Sequence, residues 1–378
     1  MKMNWTSSPL RQFVIAFASL ALPVAANAGI LGEIFGGSPS SGKIAKYSFT
    51  LNESFPVTSI AWSPDGRYIA DSSTQSSFVN VWDVQQRRLV HHFKFDGANS
   101  KFHSLSFSPD SRHLAFCDGM STLWVYSTDS WEPIHTQGRQ QSGFCLGRPV
   151  FSSDGKLLAI NGREFLVFNT SDWSLWKTID ANWLRGRDIA TYSFSPGNHD
   201  IFMGGSADFP EHVGLPRLRS AGLVWKIRAD EVKPSRTIVA YPVAEGRRFN
   251  STVISMIFSA DGNSLITGAQ TGAGTPSEVI TDALHLIEVS TGEIRAHVLD
   301  GVAQGEQYGL EISFNEKYII CGDSNPRAPK IYLVDFNKFT QLESIDVGGT
   351  VYDVAADPLE GGFAAAAGSK IIFWKIKG

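Results

Sequence analysis

Along most of this chain apolar and polar side chains alternate every second residue over short runs, and turn residues cut the runs apart. Ser59-Ile60-Ala61-Trp62 leads into Ser63-Pro64-Asp65-Gly66, and Ser104-Leu105-Ser106-Phe107 leads into Ser108-Pro109-Asp110-Ser111. A period of two puts successive side chains on opposite sides of the backbone, which is the pattern of a half-buried β-strand. Helical spacing is absent. The turn residues suit tight connections, because Pro presets φ at the second turn position while Asp and Gly accept the conformations that follow.

The same phrase returns as Phe151-Ser152-Ser153-Asp154-Gly155, Phe194-Ser195-Pro196-Gly197-Asn198 and Phe258-Ser259-Ala260-Asp261-Gly262, then in eroded form at Phe314-Asn315-Glu316-Lys317 and Ala356-Asp357-Pro358. Most copies lie ~40–45 residues apart, the length of a four-stranded propeller blade. Two steps are longer because Gly204 to Ala221 and Gly268 to Asp282 read as extended connections. Each copy carries a third run ending in a large apolar residue and a polar one: Trp82-Asp83, Tyr126-Ser127, Phe168-Asn169, Trp225-Lys226, Ile287-Glu288, Val334-Asp335 and Trp374-Lys375. The fold class is therefore all-β, a seven-bladed β-propeller of four-stranded blades. The last copy lacks an outer strand, and Lys43 to Leu51 alternates like one ahead of the first copy. Pairing the two would close the ring and remove an open sheet edge.

On these in-phase copies, from about Lys43 to Gly378, the chain resembles the WD-repeat family. The Gly-His pair that usually opens a repeat in that family is missing, so its buried His-to-Asp network is not expected here. That departure points to a divergent, bacterial member, and the resemblance implies the same closure of the ring through the N-terminal strand.

The first residues add a destination. Lys2 and Arg11 precede an apolar run from Phe13 to Leu22, followed by Ala26-Asn27-Ala28. This reads as a signal peptide over 1–28, cut after Ala28, and hence a periplasmic or secreted protein. Residues 29–42, rich in Gly and Ser, read as a flexible leader, with the propeller over 43–378. A formal charge of −4 and 12% aromatic residues describe an ordinary globular protein and point away from nucleic acid. No later segment is long and apolar enough to span a membrane. Of the three cysteines, Cys117 and Cys145 are candidates for one disulfide, since both approach the same face and export permits oxidation.

No motif for a nucleophile, a phosphate loop, a cofactor or a metal is present, so neither cofactor nor metal is expected. His91-His92 lies in an outer strand, where successive side chains point to opposite sides and cannot share a metal. Inner strands line a propeller's channel, and a polar column there reads Ser59, Ser104, Arg148, Thr191, Ser255, Glu311 and Asp353, with His103 just above it. Glu311, Asp353 and His103, with Arg148 nearby, could serve a lactonase-like propeller hydrolase through a metal or an activated water. The favoured reading lies on the upper face, where the long connections fall. Arg139, Arg163, Arg185, Arg187, Arg217, Arg219, Arg247 and Arg248 are expected there with Trp183 and Phe249. Guanidinium forks and aromatic rings suit an acidic partner, protein or polymer, bound by a non-catalytic, monomeric ring.

Overall fold

One serine hydroxyl sets the register of the hairpin that opens each of several blades. In blade one the Ser63 hydroxyl donates to the Asp65 carboxylate at 2.6 Å and accepts the Tyr68 N–H at 2.8 Å. The same pair of bonds recurs around Ser108 with Asp110 and His113, around Ser152 with Asp154 and Leu157, and around Ser259 with Asp261 and Ser264. A short polar side chain that satisfies two groups of its own turn stabilises the turn over any longer-range alternative. The residue after the Asp is left-handed, with φ of 75° at Gly66, 71° at Gly155 and 70° at Gly262. Glycine takes that conformation without steric cost, which is why the phrase ends on it.

The hydroxyl also corrects the reading of blade six. Ser313 donates to Asn315 and accepts the Tyr318 N–H, so Ser313 occupies the place of Ser63. Phe314 therefore sits at the second turn position, where blades one, two, four and seven have proline, and Ile312 ends the strand. By the same register Gly309, not Glu311, is the counterpart of Ser59 and Asp353. Matching aromatic to aromatic displaced this repeat by two residues.

The computed structural model describes residues 39–95, 102–118, 122–138, 147–162, 164–179, 187–207, 221–241, 251–271, 284–299, 309–325 and 328–377. Among them the strands form seven four-stranded sheets, all paired antiparallel. Six sheets are simple meanders; the seventh is closed by Ala45–Asn52, which pairs with Lys370–Ile376. The inner strands are Ser59–Trp62, Phe102–Phe107, Val150–Phe151, Arg187–Phe194, Ser251–Phe258, Leu310–Ile312 and Val351–Ala356. Each touches the next and the last touches the first, so the ring is closed. The second strands of blades four and five run on to Ala207 and Thr271, further than the sequence suggested, and the chain resumes in strands at Ala221 and Leu284.

Burial follows from the stacking. Both faces of a blade lie against neighbours, so middle strands such as Tyr68–Ser72 and Phe363–Ala367 are buried throughout, while outer strands such as Arg88–Lys94 are mostly open. One apolar cluster fills each interface: Ile60, Ile69, Ala364 and Phe373 between blades seven and one, Val79, Val81, Leu105 and Phe116 between one and two, and so on round the ring. A second set of contacts locks the perimeter. Trp131 of blade two stacks on His91 of blade one, Trp173 of blade three on His135 of blade two, and Arg87 of blade one lies over Phe49, the closing strand's ring, at 4.3 Å. His91 and His92 do face opposite ways, since His92 meets Asn80 at 2.7 Å on the other side of the sheet.

Candidate functional site

Two regions compete for function, the channel along the ring axis and the face opposite the serine hairpins. Strands that end in those hairpins bring the channel residues together from distant parts of the chain. Arg148, at the start of blade three, donates Nε to the Leu105 carbonyl at 3.1 Å and Nη2 to the Ile60 carbonyl at 3.4 Å. It thus reaches past blade two to blade one along the lumen side of the inner strands. Asp353 clasps blade seven to blade one: its Oδ2 accepts from the Ser59 hydroxyl at 3.1 Å and from Ile60 N–H at 3.0 Å, and its Oδ1 accepts from Val354 N–H at 3.0 Å. Burial pushes the Asp353 carboxyl upward, against the pull of Arg148 and these donors.

Glu311 lies one layer nearer the hairpins than Arg148 and Asp353, in line with the corrected register. Its charge is felt by Arg148 across the ring and by Asp353 from the next blade. Desolvation raises its carboxyl to about 7, with Arg148 opposing and Asp353 adding to the rise. The sequence therefore named three channel residues that the fold does assemble, although Glu311 belongs to a different layer. Of His103 only the backbone is described, in the inner strand of blade two. The donors on Asp353 and the carbonyls on Arg148 occupy these two side chains with holding blades together, and among the described residues no three His, Cys, Asp or Glu side chains are grouped to hold a metal.

A further polar cluster at the closing seam had no signal in the sequence. Glu53, just past the closing strand, meets Asp71 and accepts from the Asn80 side chain at 3.0 Å; Trp82 Nε1 donates to Asp71 at 2.7 Å. Burial holds both carboxyls above their usual range; the Glu53 charge pushes Asp71 up further, while the hydrogen bond from Asp71 pulls Glu53 back down. Glu53 belongs to the segment entering blade one and Asp71 to that blade's second strand, so no local spacing relates them.

The upper-face residues stand differently. Arg139, Arg163, Trp183, Arg185, Arg217, Arg219, Arg247, Arg248 and Phe249 lie outside the described residues. Arg187, expected in a connection, instead opens the inner strand of blade four opposite Ala207, with its backbone alone described. The strand ends that flank these segments all leave the ring on the face away from the serine hairpins, as antiparallel pairing requires. Cys117 is buried and disulfide-bonded, Cys321 is buried and free, and Cys145 lies outside the described residues. No helix among the described residues is long and apolar enough to cross a membrane.

The WD domain, G-beta repeat family matches residues 45–83, which are the closing strand and the first three strands of blade one. Over 134 residues, 33% of this chain, the sequence is 27% identical to the WD repeat-containing protein WRAP73 of Mus musculus, covering 28% of that protein. Over 70 residues, 18% of the chain, it is 29% identical to Autophagy-related protein 18 of Kluyveromyces marxianus and, to the same extent, of Kluyveromyces lactis, covering 14% of each. The chain thus matches well under a third of the length of each of these relatives.

Proposed function

We propose that this chain, a WD-repeat β-propeller, is a non-catalytic scaffold that works by binding protein. The observation that carries this is the use made of the channel polar groups. Asp353 and Arg148, the two residues best placed for chemistry, are engaged in bonds between blades, so the axis builds a rigid ring. A rigid platform with variable connections is the usual way a scaffold presents a binding surface.

The finer reading is that the protein is exported, losing residues 1–28, and that an acidic protein surface docks on the upper face over blades three to five. Support comes from the residue types in those connections, arginines interleaved with Trp183 and Phe249. Charge-assisted bonds from arginine contribute ~1.5–3 kcal/mol each where they form, so two of them are worth a hundredfold or more in affinity. The test is capture of partners from an envelope extract by wild type, by the Arg185→Ala/Arg187→Ala variant, and by a Lys156→Ala control on the hairpin face. Wild type and control should recover the same proteins and the double variant should lose them. Loss in the control with retention in the double variant would place the partner on the other face.

A further inference from the structure

The perimeter joint between blades two and three combines a strained turn, a stacked pair of rings and a ring nitrogen without a partner. Trp173 sits in the turn between the third and outer strands of blade three with φ of 58°, a left-handed conformation that a tryptophan adopts only at a cost. Its N–H donates to the Asn169 carbonyl at 2.8 Å, which closes the turn and sends the indole back onto blade two. There the indole stacks on His135, with centroids 5.1 Å apart and planes 12° from parallel, and meets His113 edge to face at 5.8 Å. Phe168 of blade three also lies 5.8 Å from the His135 ring.

His135 Nε2 is buried and has no hydrogen-bond partner, and among the described residues no other histidine leaves a ring nitrogen in that state. As a neutral acceptor this nitrogen forgoes one hydrogen bond. Protonated, it becomes a charged donor with no acceptor, which only water can satisfy. The stacked indole attracts a cation, but it offers the N–H no oxygen. Val125 stands opposite His135 in its own sheet, Phe168 and Trp173 face it from blade three, and burial alone holds its pKa below the ordinary 6.5. The carboxylate next to Trp173, Asp172, is occupied by the N–H and hydroxyl of Ser174 in its own turn. His113, on the same indole, is also lowered by burial, with Asp110 and Asp129 opposing and Arg112 adding to the fall.

We propose that this joint is an acid-sensitive latch, in which protonation of His135 expels its ring from the stack and frees the Trp173 indole. The indole packs on the apolar cluster that contains Val125, Leu166 and Phe168, so its release uncovers that cluster at the perimeter. The inner strands keep the ring closed meanwhile, because their contacts run round the axis without the indole. Strain favours the release, since a turn no longer held by a docked indole can relax its φ. The latch rests on the fold alone and is independent of the proposed partner surface.

Fluorine NMR of the full chain labelled with 5-fluorotryptophan reads the latch, the Trp173 resonance being the one missing from Trp173→Phe. Between about pH 7.5 and about pH 5 that resonance should move toward its position in unfolded protein, with a midpoint below 6.5. It should also gain the shift between light and heavy water that marks an exposed indole. His135→Phe keeps a stacked ring that cannot titrate and should hold the resonance in place throughout; His135→Gln, a second variant that cannot titrate, should be equally insensitive to pH. A wild-type resonance that stays in place, a midpoint above 6.5, or a titration without the solvent shift would overturn the proposal. So would a response of wild-type size in either folded variant, which would assign the effect to His113.

Discussion

At the scale of single residues the hairpin serines and two glycines make separable predictions. Ser108 is buried and serves both His113 N–H and Asp110, so Ser108→Ala leaves a donor without its partner and should cost ~1–3 kcal/mol. A urea titration should show a lower midpoint with an unchanged slope. Gly155 has φ of 71° and a methyl group there would meet nothing closer than the Pro109 ring at 3.7 Å, so Gly155→Ala costs only backbone strain, ~1–2 kcal/mol. Gly309 is different, because a methyl group there would meet Val354 N at 2.7 Å and the Asp353 backbone at 3.0 Å. Gly309→Ala should therefore destabilise more than Gly155→Ala, and the opposite order in urea would refute the close approach of blades six and seven. The serine was visible in six of the hairpin phrases, but its two bonds are not, and the bulkier aromatic beside it drew the alignment. That is why Phe314 was misplaced and the channel layer of Glu311 misread.

Among elements, the closing strand is the one whose loss spreads furthest. Ala45–Asn52 supplies the outer edge of blade seven, and Glu343 of blade six holds its start, accepting from the backbone N–H groups of Lys43, Ile44 and Ala45. Contacts begin still earlier, since the Ser40 carbonyl accepts from Trp374 Nε1 at 3.1 Å. Glu343→Ala should speed hydrogen exchange at Ile44 and Ala45 while amides in Leu157–Asn161 of blade three keep their protection. Uniform acceleration in both places, or none at Ala45, would contradict this anchoring. Oxidation offers a second check on an element: if Cys117 pairs with Cys145, unfolding without reductant should leave one thiol, Cys321, open to alkylation, and three would exclude the bridge. Strand order, blade number and closure were legible because the period-two alternation and turn phrases are local and repeat. The Glu53–Asp71 contact and the Trp131 and Trp173 perimeter stacks were not, because each joins residues whose proximity exists only after neighbouring blades have packed.

For the whole molecule, buried acids and buried histidines set opposite limits on stability. Glu311 titrates near 7 in the fold against an ordinary value of 4.5, so folding favours its protonated form. Its contribution is complete below the ordinary value and is lost as pH rises through about 7; the raised carboxyls of Asp353, Asp71 and Glu53 act in the same sense. His91, His113 and His135 are lowered by burial, so they withdraw stability as pH falls below their ordinary 6.5. The acids and the histidines therefore oppose each other on the acidic side of neutrality, and Glu311→Gln should remove the loss of melting temperature that Glu311 causes as pH rises from about 4.5 to about 7. A change in melting temperature between about pH 4.5 and 7 as large in that variant as in wild type would remove Glu311 from the explanation. The central claim, a propeller whose upper face holds a protein partner, is tested most directly by a photo-crosslinking amino acid placed in living cells at position 183 or, on the hairpin face, at position 156. Capture of a discrete protein from position 183, abolished by Arg185→Ala/Arg187→Ala, is the result the account predicts; capture from position 156 with none from 183 would contradict it.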